Sequence, residues 1–162
     1  MFEKMIIFSF VIFSNLACSK SSNNPPPPKP KSPDEILTSK TWKIMEDHGL
    51  YGNTPIDYTR GGAGNTLNLD GDSLRFNADG TGTQWTNIPS PGSYPINWNF
   101  IDSQKTQLTF TLHWSSSFSV VYYWGFNILA EDSINYEDQY SSGGINDYET
   151  VIRKPTQNAT KF

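Results

Sequence analysis

Leu108-Thr109-Phe110-Thr111-Leu112-His113-Trp114 sets a large apolar side chain at every second position with a polar one between. A period of two matches the pleat of a β-strand, whose successive side chains point to opposite faces, so this segment reads as a strand with one dry and one wet face. The next run, Phe118 to Ile128, carries the pattern further. Val120, Tyr122, Trp124, Phe126 and Ile128 form one face, while Val121 and Tyr123 keep the other apolar, so this strand is expected to be covered on both faces or to lie under a loop.

Outward from these two runs the alternation repeats. Trp42 and Ile44 flank Lys43, Leu74 and Phe76 flank Arg75, and Ile96, Trp98 and Phe100 alternate with Asn97 and Asn99. Pro95 marks the entry to its strand, because proline is tolerated where no ladder hydrogen bond is needed. Asn77-Ala78-Asp79-Gly80 supplies a tight turn with glycine for a positive φ, and Asp102-Ser103-Gln104-Lys105 connects the following pair. Ser133 to Tyr136 and Tyr148 to Arg153 add later strands around the glycine-rich Ser141-Ser142-Gly143-Gly144. Ahead of them all, Ser32-Pro33-Asp34-Glu35 is a capping box with proline at the first helical position, so one short N-terminal helix is expected to cover an end of the sheet. About eight hairpin-linked strands with almost no helix predict an all-β chain that closes into a barrel or folds into a sandwich.

In order along the chain, Trp42-Lys43-Ile44, Leu74 to Gly82, Ile96-Asn97-Trp98 and Ile128 to Ile134 resemble the lipocalin-like domains of bacteroidete lipoproteins. The resemblance covers about Asp34 to Lys154. It implies an antiparallel up-and-down β-barrel and a ligand-binding role, and it transfers no catalytic residue.

With even-numbered positions inward, Trp98, Phe110, Trp114, Tyr122 and Trp124 are the candidate lining of a ligand site, joined by Phe126. An eight-stranded lumen is just wide enough to be filled by side chains or to hold one small ligand, and the sequence is compatible with both. The long connection from His48 to Thr66 holds Tyr51, Tyr58, Arg60 and Gly61-Gly62-Ala63-Gly64, the candidate lid over the barrel mouth. Its glycines lack the Lys-Ser/Thr of a phosphate loop.

Sequence spacing offers no catalytic constellation and no cofactor motif. His48 and His113 read as surface histidines. Asp70-Gly71-Asp72 lacks the spacing and terminal glutamate of a calcium loop. Glu131-Asp132 and Glu137-Asp138 read as solvated turns rather than a metal site. From Asp34 to Ile152 there are fifteen acidic residues against five basic, a balance that argues against nucleic acid, whose phosphates require a basic stripe. Solubility accounts for the acidity.

The N-terminus specifies a location. Met5 to Phe13 is an apolar run of nine residues interrupted only by Ser9. It is too short for a bilayer core of about 30 Å and fits the apolar part of a signal peptide. Leu16-Ala17-Cys18-Ser19 resembles a lipobox, which implies cleavage after residue 17 and acylation of Cys18, the chain's sole cysteine. The usual branched residue three places before the cysteine is here Asn15. Residues 18–33 then form a tether whose prolines, from Pro25 to Pro33, hold a semi-rigid spacer of roughly 28 Å. The barrel domain is expected over 34–155 and a flexible tail over 156–162.

These readings predict a protein of the cell envelope, lipid-anchored at the outer membrane and facing the periplasm or the surface. Its partners would be the membrane, through the anchor, and a small hydrophobic or amphipathic ligand. The alternative is a non-enzymatic interaction module with a filled barrel, presenting Trp85, Tyr94 and Tyr123 to an envelope protein or glycan.

Overall fold

The computed structural model describes residues 25–88, 90–142 and 145–156. Two units divide the chain, Met1–Pro30 and Lys31–Phe162. Of the first, residues 25–30 are described and are neither helix nor strand. Cys18 and the leader lie outside the described residues, as does the tail beyond Thr156.

The second unit is all-β apart from one short helix, α1 (Pro33–Thr38). Its strands are β1 (Thr41–Tyr51), β2 (Thr54–Thr59), β3 (Ser73–Phe76), β4 (Thr81–Thr86), β5 (Gly92–Phe100), β6 (Gln107–His113), β7 (Ser119–Leu129), β8 (Ile134–Ser142) and β9 (Ile145–Pro155). All pairings are antiparallel. Consecutive strands from β3 to β9 are neighbours, and β1 pairs with both β3 and β9, so eight strands close into a barrel with β2 as a ninth added to its rim. This is the expected closed barrel rather than a sandwich.

β1 is the strand on which closure depends. One edge pairs with β9 from Trp42↔Pro155 to Leu50↔Tyr148. The other edge is divided, with Thr41–Lys43 on β3 and Glu46–Tyr51 on β2. A bulge between Ile44 and Glu46 inserts one extra residue. Because side chains alternate with a period of two, one extra residue reverses which parity faces inward beyond it. Trp42 and Ile44 point in before the bulge, and Asp47 points in after it.

The floor of the barrel is dry. Ser32 caps α1 as anticipated, its Oγ accepting from the Glu35 amide while the Glu35 carboxylate accepts from the Ser32 amide. That cap aims Ile36 and Leu37 into the barrel end, where Trp42 Nε1 donates to the Leu37 carbonyl at 2.9 Å. Phe76 meets Trp98 and Trp124 edge-on, with centroids 5.3 and 6.0 Å apart. Tyr136 stacks on Trp124 at 3.8 Å. Trp98 Nε1 is satisfied by the carbonyls of Asn77 and Thr81. Those carbonyls belong to the β3–β4 hairpin, where Gly80 takes φ 82° and Asp79 Oδ1 accepts from the Thr81 amide.

Several sequence expectations change. The first strand runs to Tyr51 rather than ending before His48, and the connection from His48 to Thr66 is largely the β1–β2 hairpin rather than a loop. β5 starts at Gly92, so Pro95 lies inside it. β8 extends to Ser142, six residues past the expected Tyr136.

Candidate functional site

Above this floor lies a cavity of about 770 Å³. One wall is aromatic. Phe110 from β6, Tyr122 and Trp124 from β7, and Trp114 just past β6 all line it, and Tyr94 packs on Trp114 at 4.5 Å. Phe110 and Tyr122, cross-strand partners, stack at 4.8 Å with an 11° tilt. Tyr140 continues the stack on Tyr122 at 5.4 Å.

Trp98, expected in this lining, sits in the floor instead. Its neighbours Phe76 and Phe100 enclose it, and its indole nitrogen is consumed by the β3–β4 hairpin. Tyr94 was expected outside as a contact residue, but its parity within β5 turns it inward.

The adjoining wall, from β8 through β9 to β1, is acidic, and the sequence pattern does not anticipate it. β1 contributes Asp47, β8 contributes Asp138, and β9 contributes Asp147, Glu149 and Arg153, with Asp72 at the approach to β3. Asp138 on β8 and Glu149 on β9 are direct register partners on the same inner face, the placement in which like charges repel most. Arg153, 4 % exposed, is committed elsewhere: Nη1 donates to Asp72 Oδ1 at 2.7 Å, and Nε donates to the Tyr136 hydroxyl at 2.8 Å. Gln84 Nε2 completes that network by donating to Asp72 Oδ2. Although burial by itself disfavours the charge on Arg153, Tyr136 and Asp72 hold it above its ordinary value.

The other carboxyl groups lack such a partner. Trp124 Nε1 donates to Asp138 Oδ2 and the Gly52 amide donates to Asp147 Oδ1, but Asp47 Oδ1, Asp138 Oδ1 and Asp147 Oδ2 are buried without any hydrogen bond. A buried carboxylate without a counter-charge holds its proton more tightly. Burial, partly offset by Arg153, pushes Asp47 up to about 6. Asp138 rises to about 7, with burial again first and Trp124 and Arg153 opposing. Glu149 rises to about 9 through burial and then through the charges of Asp47, Asp138 and Asp147. Burial and the nearby Asp138 likewise raise Tyr122.

The mouth is covered by the β1–β2 hairpin and the segment that follows β2. Tyr51 and Phe118, both exposed, form its rim, while Ile56, Leu67 and Leu69 turn beneath it. Tyr58 and Arg60, expected in a lid, do not reach the cavity. Tyr58 is fully buried, with its hydroxyl donating to Asp70 Oδ1 at 2.7 Å. Arg60 pins the covering segment to the wall, donating to the carbonyls of Ile44, Asp70 and Leu69.

The remaining sequence candidates lie on the outside. His48 Nδ1 sits 2.8 Å from Asp57 Oδ1, and His113 bridges Asn97 and Ser119 on the outer face. Of the acidic pairs read as solvated turns, Glu131 pairs with Lys31 and Asp132 is exposed, but Asp138 points inward. Among the described residues no three His, Cys, Asp or Glu side chains are grouped to hold a metal ion.

The inward acids obey the parity of their strands. Tyr136, Asp138 and Tyr140 alternate on β8, and Asp147, Glu149, Val151 and Arg153 on β9. Extending the Ser133 and Tyr148 segments by two or three residues would have brought most of them into view.

Neither a protein-family model nor a curated protein matches the chain.

Proposed function

We propose that this protein is a lipid-anchored envelope lipoprotein whose lipocalin-like barrel binds a small amphipathic molecule without chemically altering it. The observation that supports this reading is the 770 Å³ cavity, stacked aromatics on one wall and polar groups on the other. Ligand sites of about 300–1,000 Å³ with mostly apolar walls and a few convergent polar groups are typical of small-molecule binding. The anchor rests on the sequence around Cys18 alone.

The interaction-module alternative finds less support. Its outer-face aromatics, Trp85 on β4 and Tyr123 on β7, are separated by β5 and β6, and Tyr94 faces the lumen. A contact surface that fills a partner's pocket needs clustered anchors.

The test is mass spectrometry of the protein released gently from its native envelope. A stoichiometric small molecule that disappears on filling the cavity with Val120→Trp is the expected result. Recovery of the barrel with no small molecule, and no binding of any amphiphile added back, would overturn the reading. Palmitate labelling tests the anchor separately: incorporation is expected in the natural chain and lost in Cys18→Ser, and unchanged labelling would exclude Cys18 as the lipid site.

A further inference from the structure

A cavity for a small amphiphile leaves open what kind of head group it receives, and the acidic wall bears on that choice. Asp47 and Asp147 are 5 % and 6 % exposed, both line the cavity, and each has one buried carboxylate oxygen with no donor to meet it. An unsatisfied buried acceptor is destabilising, more so when charged, so a fold that keeps several in one place is incomplete without a donor from outside. Arg153, the one buried cation among the described residues, is already held by Asp72 and Tyr136 and lies over the Trp124 ring. Asp138 and Glu149 face each other across β8 and β9 with no cation between them among the described residues.

An anionic head group would meet this wall at a Coulomb penalty, and a neutral hydroxyl would satisfy at most a couple of the orphaned oxygens. A protonated amine brings three donors and a positive charge to a wall whose own cation, Arg153, is already committed to Asp72 and Tyr136. Phe110, Tyr122 and Tyr140 stack on one another beside it and supply an apolar surface for the rest of such a molecule. A bare divalent ion fits less well, because the acids are spread over β1, β8 and β9 and are not grouped for inner-sphere ligation.

We propose that the cavity is selective for amphipathic organic cations, with an ammonium head against the carboxyl groups of Asp47, Asp138, Asp147 and Glu149 and an apolar body along the aromatic wall. This rests on the small-ligand reading above and deepens it.

Three probes with one tail separate the two. Octylammonium, octanol and octanoate are titrated calorimetrically into the full-length chain at pH 7.5. Octylammonium is expected to bind at least about tenfold more tightly than octanol, and octanoate more weakly than either, as charge complementarity at a partly buried site requires. Octanol or octanoate binding as well as octylammonium would overturn the cation proposal while leaving the ligand site standing. No binding by any of the three would overturn both.

Asp47→Asn and Asp138→Asn keep shape and remove the charge of carboxyl groups that are ionised at pH 7.5. Each is expected to reduce octylammonium affinity severalfold and leave octanol affinity unchanged, with octanol binding itself reporting an intact barrel. Retained preference for octylammonium in both variants would overturn the assignment of the head group to this wall. Calcium chloride serves as a competitor. Displacement of octylammonium by calcium below millimolar concentration would show a metal site instead and overturn the proposal.

Discussion

The two halves of one barrel interior are built on opposite principles. Around the floor, Leu37, Trp42, Leu74, Phe76 and Ile96 are fully or almost fully buried, and the indole nitrogens of Trp42 and Trp98 find backbone carbonyls. Toward the mouth, β1, β8 and β9 carry carboxyl groups, several with an oxygen that meets nothing. The floor holds the fold together, and the upper half gives up stability to keep charge and space. A protein that needed only a core would have filled both halves alike, since eight strands can be packed solid.

The largest expected effect lies in the floor. Trp42→Ala removes a fully buried indole together with its hydrogen bond to α1, and urea unfolding should report a loss of roughly 3–5 kcal/mol. A loss below 1 kcal/mol would erase the distinction between the halves.

The upper half is probed by pH. Asp47, Asp138 and Glu149 hold protons in the folded chain up to about 6, 7 and 9, against ordinary values of 3.8, 3.8 and 4.5. The folded state therefore binds more protons than the unfolded one between those limits. Their contribution is full below about pH 4 and is lost as pH rises through 6 to 9. Thermal melts should show Tm falling between pH 5 and pH 9 by on the order of 5 °C, and Glu149→Gln should flatten the slope at its alkaline end. A Tm that rises over that range would mean the carboxyl groups are solvated.

The smallest effect belongs outside. Tyr123 is 52 % exposed on the outer face of β7, and Tyr123→Ser should shift stability by no more than about 0.5 kcal/mol and leave octylammonium affinity unchanged in calorimetry.

These halves were unequally legible in the sequence. The floor follows from local rules: alternation at Leu74-Arg75-Phe76 and Ile96-Asn97-Trp98, turn chemistry at Asn77 to Gly80, and a capping box at Ser32. Each depends on a few neighbouring residues, and the structure realises each. The acidic wall depends on longer-range facts. Counting by twos from Trp42 places Glu46 inside, and only the bulge after Ile44 exchanges it for Asp47. Tyr136-Glu137-Asp138 looks like a polar strand end unless β8 is known to continue to Ser142. The pairing of Asp138 with Glu149 exists only once β9 lies beside β8. β2 was hidden for a similar reason, because Thr54-Pro55-Ile56-Asp57-Tyr58-Thr59 has the composition of a loop and becomes a strand by adding to an edge that β1 leaves free above β3.

That β1 and β9 close the barrel also dictates when the molecule can fold. The first barrel strand cannot be paired along its full length until the last has been synthesised, so closure joins the most distant parts of the domain and should take on the order of milliseconds to seconds rather than microseconds. Until then β1 and β8 expose unpaired edges, and Asp72 waits for Arg153. A chain cut short before β9 is thus an open, sticky sheet with an uncompensated carboxylate at its centre, a species for chaperones and proteases rather than a smaller barrel.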